Sequence, residues 1–200
     1  MIPPPGYYRY ELRHQNRLIA VESERLTADG LSGERIQADS GDRHEVEAEL
    51  DGDGLVIRIR LSYKRGPFSR SATYESGGDV FRGTVTAMAG RNAVQSKLGR
   101  FREVDGDLLI FKAFIISHIR ARTEHRWTGR VAVIDPATLV VASIKHTYHQ
   151  RDPNGLLWSF EPRLGEREQI ELDQQGRIVR RTNARGDETV LASFEPAPQD

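Results

Sequence analysis

Cysteine is absent from the 200 residues. This excludes a disulfide framework, a thiolate nucleophile and a cysteine zinc centre, and leaves the redox compartment open. No apolar run approaches the roughly 20 residues that a membrane-spanning helix needs, so no integral membrane segment is expected. Neither sign of charge is in surplus: Lys plus Arg number 29, and Asp plus Glu also number 29. A dedicated nucleic-acid binder normally carries a basic excess on one face, so nucleic acid is not expected as a partner. The start, Met1-Ile2-Pro3-Pro4-Pro5-Gly6, lacks a basic region followed by an apolar stretch. No signal peptide is visible in it, and a cytoplasmic location is the default expectation, a trimmed exported form staying open. There is no diagnostic catalytic motif, no repeat of fixed period and no interior linker. Residues 1–200 therefore read as a single β-barrel-like domain with a stiff leader at 1–5 and a tail at 196–200. That length can bury a core without disulfides or metal.

Turn signals, by contrast, recur throughout. They include Asp51-Gly52-Asp53-Gly54, Ser76-Gly77-Gly78-Asp79, Asp152-Pro153-Asn154-Gly155, Gln174-Gln175-Gly176 and Arg185-Gly186-Asp187. Between them apolar and polar residues alternate, the pattern of half-buried strands joined by hairpins. The expected fold is all-β: a strongly curved antiparallel sheet forming a barrel or half-barrel, with one or two short helices.

The hairpin of residues 43–50 against 55–64 is the best determined. His44, Val46, Ala48 and Leu50 share one face and Glu45, Glu47 and Glu49 the other. On the second strand Leu55, Ile57, Ile59, Leu61 and Tyr63 face Arg58, Arg60 and Lys64 across the strand. A four-residue turn pairs Val46 with Ile59, Glu47 with Arg58 and Glu45 with Arg60, matching both faces. The acid–base ladder reads as a solvated outer face. Residues 90–99 read as a strand or a loop over an opening. Residues 107–121 hold the longest apolar run. Leu108, Phe111, Ile115 and Ile119 fall on one helical stripe and Asp107 suits the cap, whereas the β-branched residues argue for strand. A short helix packed on the sheet is favoured.

The candidate site lies on the hairpin of residues 123–134 and 139–150. With Asp135-Pro136-Ala137-Thr138 as the turn, Val133 meets Val140, Trp127 meets His146 and His125 meets Tyr148, all on one face. A glycine-bulge turn at residues 152–155 then sets Tyr148 beside Phe160, with Trp158 on the same side. An apolar hollow with a few polar groups at one end suits a small molecule. Trp127, Trp158 and Phe160 supply apolar contact; His125, His146 and Tyr148 fix orientation by hydrogen bonds. The bland reading makes both histidines ordinary core or rim residues. A catalytic reading uses His125, His146 and Tyr148 for acid–base chemistry, but no nucleophile with an attached base is evident. No metal is expected, because a third ligand cannot be placed.

Weaker signals reduce to structure. His146 and His149 have opposite strand parity. Asp51-Gly52-Asp53-Gly54 matches the opening of a calcium loop, yet Ser62 stands where the terminal glutamate belongs. Arg185-Gly186-Asp187 falls where a turn is due, and Arg120, Arg122 and Arg126 read as a solvated face.

The second half resembles the bacterial glycolipid-binding family and, more loosely, half-barrel lipoprotein carriers. The resemblance runs over residues 105–182, through Asp107-Leu108-Leu109, Val131-Ala132-Val133-Ile134-Asp135-Pro136, Leu139, Tyr148, Ile170-Glu171-Leu172-Asp173, Gly176 and Arg177-Ile178-Val179. The family's tryptophan-rich opening is missing. The resemblance implies an antiparallel half-barrel enclosing a lipophilic ligand, with no cofactor. The leading expectation is thus binding or carriage of a lipophilic or amphiphilic small molecule in the concave interior. The alternatives are an isomerase, cyclase or hydrolase using the same cavity, and a protein-interaction domain with a filled core.

Overall fold

Alternating inward and outward side chains build nearly the whole molecule. The computed structural model describes residues 2–77, 80–88, 90–97, 103–106, 108–162 and 166–198. Eight strands come first: β1 (Gly6–His14), β2 (Arg17–Leu26), β3 (Gly30–Gln37), β4 (Arg43–Leu50), β5 (Val56–Arg65), β6 (Phe68–Gly77), β7 (Val80–Ala87) and β8 (Gly90–Lys97). A short β9 (Val104–Asp105) and one helix, α1 (Leu109–Ala121), follow. Six more strands complete the chain: β10 (Arg126–Ile134), β11 (Val141–Gln150), β12 (Leu157–Pro162), β13 (Glu168–Leu172), β14 (Ile178–Asn183) and β15 (Asp187–Pro196).

All fifteen strands belong to one sheet in the order 8-7-6-5-4-3-2-1-15-14-13-12-11-10-9. Every ladder is antiparallel except the two-residue pairing of β9 with β10. The pairing of β1 with β15 joins the two halves of the chain at the middle of the sheet. The sheet curls until β6 reaches the β10–β11 loop: Tyr74 donates to the Leu139 carbonyl at 2.7 Å and Arg70 to that of Ala137 at 2.7 Å. No ladder closes the ring among the described residues. The fold is therefore an open, strongly curved half-barrel with a single helix. Residues 90–97 are strand, and Asp107 with the tip of the Ser76–Asp79 turn lies outside the described residues.

The helix fills the concave face. Leu109, Ile110, Phe111, Ala113, Phe114, Ile115, Ile116 and Ile119 are all buried, so α1 is apolar on nearly every side and not along one stripe. A helix of that kind belongs in an interior, and Tyr8, Ile59, Tyr74, Val131, Tyr148 and Ile170 of the sheet join it in one core. The open interior expected for a ligand is thus largely solid. Tertiary packing also overrides the β-branched propensity of the run.

No side chain of α1's own N-terminus caps it. Two glutamates of β2 do so. Glu22 Oε1 accepts from the Leu109 N–H at 2.5 Å, and Glu24 Oε1 from the Ile110 N–H at 3.0 Å. Arg35 of β3 donates to Glu22 Oε2 through Nε at 2.8 Å and Nη2 at 2.5 Å. Both carboxyls are buried. Burial works to raise the Glu22 carboxyl, but Arg35 and the hydrogen bonds hold it below the usual carboxylate range. Glu24 is pushed well above that range, and the cause is first desolvation and then the like charge of Glu22.

The β4–β5 hairpin keeps its expected faces but not its expected partners. Val46 pairs with Leu61, Glu47 with Arg60 and Glu45 with Ser62, a slip of two residues. One added residue comes from the turn, where Gly54 sits at φ +78° and the Asp51 N–H reaches the Leu55 carbonyl. The other comes from a register shift between Glu49 and Leu50. It turns Val56 inward and Ile57 outward, leaving Ile57 46% exposed, contrary to the simple alternation.

The cap separates two chemically similar residues. Glu22→Gln should cost about 2–3 kcal/mol, because it removes the anion from the two-point contact with the half-buried Arg35. Glu24→Gln keeps an acceptor for the Ile110 N–H at a carboxyl whose pKa is raised, and should cost roughly 1 kcal/mol or less. Urea unfolding at neutral pH reads the difference, and equal losses would refute this charge assignment.

Candidate functional site

At the rim of the half-barrel, next to Lys112 of α1, the packing leaves a hollow of about 450 Å³. One wall is the inner face of the β10–β11 hairpin near its turn, with Val133, Ala142 and Ile144. Its floor carries His146 and Phe160. The opposite wall, from β13, β14 and their flanks, brings Glu166, Glu168, Arg181 and Arg185, while Asp105 and Lys112 enter from β9 and α1.

The hairpin register decides which residues meet. Trp127 pairs with Tyr148 and Gly129 with His146, two residues from the expected partners and with the same parity. The loop runs one residue later than the sequence suggests. Asp135 donates its N–H to Val140, Asp135 Oδ1 accepts from Thr138 N and Oγ1, and Leu139 takes a left-handed φ of +58°. Gly129 is needed here, because a Cβ on it would lie 2.2 Å from the Trp127 ring. Tyr148 pairs with Phe160 as expected.

Five of the six predicted side chains share the inner face; His125 does not. The slipped register sets His125 beyond the first residue of β10, opposite Gln150. It is exposed there, with Nδ1 2.9 Å from Gln150 Oε1. Trp127, Tyr148 and Trp158 are buried. Trp158 donates Nε1–H to the Gly155 carbonyl at 2.9 Å and is a satisfied core residue. Only His146 and Phe160 of the six line the hollow.

The polar groups that the sequence reading did not single out are two ion pairs, one buried and one partly buried. Lys112 Nζ lies 2.6 Å from Asp105 Oδ2 and 4.7 Å from the Phe160 ring centre. Arg181 grips Glu168 through Nε at 2.8 Å and Nη2 at 2.5 Å, a two-point contact. Signals for both existed. Lys112 is the sole cation inside the apolar run, and Glu168 shares strand parity with Ile170 and Leu172. Across the rim, Arg185 bonds Glu166 at 2.6 Å.

His146 sits between these pairs, its ring edge-on to Phe160 with centroids 4.8 Å apart. Burial, assisted by the Lys112 charge, outweighs the carboxylates of Asp105 and Glu168 and pushes its pKa down to about 4. The ring is neutral at pH 7. Its Nδ1 and the Tyr148 hydroxyl are buried with no hydrogen-bond partner. Burial likewise raises the Tyr148 hydroxyl well above its ordinary value. An unpartnered buried polar atom costs about 1–3 kcal/mol; of the two residues only His146 lines the hollow, while Tyr148 is enclosed in the core. No group of three or more metal-ligating side chains occurs among the described residues.

The fold has a counterpart of known structure. The crystal structure of a DUF1089 family protein (PA1994) from Pseudomonas aeruginosa is similar, with a TM-score of 0.56 and 16% sequence identity. The match covers 80% of this chain and 87% of that one. At this identity the likeness shows the fold alone. No protein-family model and no curated protein matches the chain.

The histidine has a measurable signature. Between pH 6.5 and about 4 the unfolded chain protonates His146 and the folded protein does not. Its contribution is therefore complete above pH 6.5 and lost as pH falls through that window. His146→Gln should remove this component, flattening the fall in unfolding free energy by up to roughly 3 kcal/mol. Urea titrations of both proteins between about pH 7 and pH 4 check it, and parallel profiles would refute the assignment.

Proposed function

We propose that the half-barrel binds an amphiphilic small molecule at its rim, with the polar end against His146 and the two ion pairs. The observation that carries this reading is the unpartnered His146 Nδ1 at the base of an otherwise apolar wall. The apolar part of the ligand lies along Val133, Ala142 and Ile144 and leaves through the open side of the hollow. Because α1 occupies the interior, the ligand is held at the mouth and not along the whole concave face. Apolar burial contributes about 25 cal/mol per Å² before the costs of association. A hollow of about 450 Å³ is within the range of small-molecule sites.

Each cation lining the hollow has a carboxylate partner, and a fourth carboxylate, Asp135, accepts from Thr138. Lys112 is neutralised by Asp105, Arg181 by Glu168 and Arg185 by Glu166. The pairs are committed to each other, and the neutral imidazole offers a hydrogen bond without a charge. This favours an uncharged, hydrogen-bonding head over a free carboxylate.

Native mass spectrometry of freshly purified protein should reveal an added mass of lipid size, and calorimetric titration with glycerol monolaurate should saturate. Ala142→Arg, at an exposed wall position, should weaken that binding at least about tenfold while leaving the melting temperature unchanged, since surface substitutions shift stability little. Absence of both the added mass and saturable binding, or tight binding unaffected by Ala142→Arg, would reject the proposal. Lauric acid binding better than the monoglyceride would reject the uncharged head.

A further inference from the structure

A second hollow, larger than the one at the rim, lies on the other side of the sheet from α1. It measures about 780 Å³ and crosses the outward faces of β15, β1, β2, β3, β4 and β5. Two rows of side chains form its floor. In one, Arg9 stands between Ser193 and Ser23 on the adjacent strands. In the next, Tyr7 and Arg25 pair across β1 and β2, and Arg25 pairs onward with Ser32 of β3. Short serines between long arginines leave the space.

The charges along this hollow are unevenly committed. At the β3–β4 end Arg43 is shared by two carboxylates, Glu34 at 2.7 Å and Glu45 at 2.8 Å. At the β1–β2 end the guanidinium groups are held loosely. The carboxylate nearest Arg9 is Glu11, at 3.8 Å, and Glu11 is bound more closely by Arg13 at 2.7 Å. Arg25 has no carboxylate partner among the described residues; its guanidinium lies 5.3 Å from the Tyr7 ring centre. Glu195 of β15, paired with Tyr7, is the one acidic residue in register beside them. At this end two arginines stand against one glutamate, a local positive surplus; the far end of the same hollow is acidic, with Glu34, Glu45 and Glu47 against Arg43 and Arg60.

We infer that this outer hollow is a binding site for a phosphate monoester of a small hydroxyl-bearing molecule. The phosphate sits between Arg9 and Arg25, whose planar donor groups match its oxygens. The hydroxyls of Ser193 and Ser23 donate to the same oxygens. Stacking on Tyr7 restricts Arg25 in the way that pre-organises a binding side chain. The hollow is much larger than one phosphate, and the remainder, over Ser32 and toward the acidic Arg43 cluster, whose carboxylates accept from hydroxyls, accommodates an uncharged hydroxyl-bearing body. The site is independent of the amphiphile site, which lies on the opposite face, so either proposal can fail without the other.

The test is titration of the full chain, observed by amide chemical shifts and calorimetry, with glucose 6-phosphate, inorganic phosphate and glucose as probes. Glucose 6-phosphate should shift residues 7–9, 23–25 and 193 first, bind at least about tenfold more tightly than inorganic phosphate, and weaken as salt rises. Arg9→Gln with Arg25→Gln should reduce its affinity at least about tenfold, each Gln costing a charge-assisted contact. Arg126→Gln, an exposed arginine elsewhere, should leave it unchanged. Both variants alter exposed side chains, and equal melting temperatures establish that they fold. Arg25→Lys, which keeps the charge and loses the planar fork, should fall between. Three outcomes overturn the proposal: binding absent or unchanged by the double substitution, shifts spread over all exposed arginines, or glucose binding as well as its phosphate. Inorganic phosphate equalling the ester would reduce the hollow to a simple anion contact and overturn the monoester assignment.

Discussion

Burying a helix inside an open sheet raises one problem before all others: its first N–H groups need partners where there is no water. Glu22 and Glu24 supply them from β2, with Arg35 balancing the charge of the ionised member. The helix dipole and the carboxylates reinforce each other. This contact fixes both the depth and the rotation of α1. Through Lys112 it also determines what chemistry reaches the rim. If the helix were held differently, the Lys112–Asp105 pair would not stand beside His146, and the apolar wall of β10–β11 would have no charged counterpart.

The sheet is as much a consequence of the helix as its container. Its inner face presents Tyr8, Tyr10, Tyr74, Trp127, Tyr148 and Trp158, large rings that cover α1 with few strands per turn of helix. Local irregularities allow the bending. Register shifts occur in β1 against both neighbours, between β4 and β5, and between β13 and β14, and such bulges increase bend and twist. On the outer face the hollow between β15 and β5 has a different origin, short serines set beside long arginines.

Strand parity was legible in the residues, and partner identity was not. The faces of β4, β10, β11 and β12 follow from alternation alone, and so does the meeting of Tyr148 with Phe160. The partners across β4–β5 and β10–β11 each moved by two. In both hairpins the shift preserves parity, because a shift of one would have exposed the core face. Turn chemistry caused it: a left-handed Gly54 and an outward Ile57 in one hairpin, a left-handed Leu139 in the other. The cost at the candidate site was specific. His125 fell off the end of the ladder into solvent, while Lys112, Asp105, Glu168 and Arg181, from four separated elements, assembled around His146.

The order of apolar and polar residues, with the glycine and asparagine turns, was sufficient by itself to make this chain a curved antiparallel sheet and to aim each ring inward or outward. That information is local, since it depends only on neighbours two apart along a strand. Tertiary structure alone decided that the apolar run at 109–121 is a helix, that it occupies the concavity, and that its cap comes from glutamates over 80 residues away. It also decided which ionisable groups share the rim. Those outcomes depend on desolvation and on charges brought together across the fold, and neither exists until the chain has closed around its core.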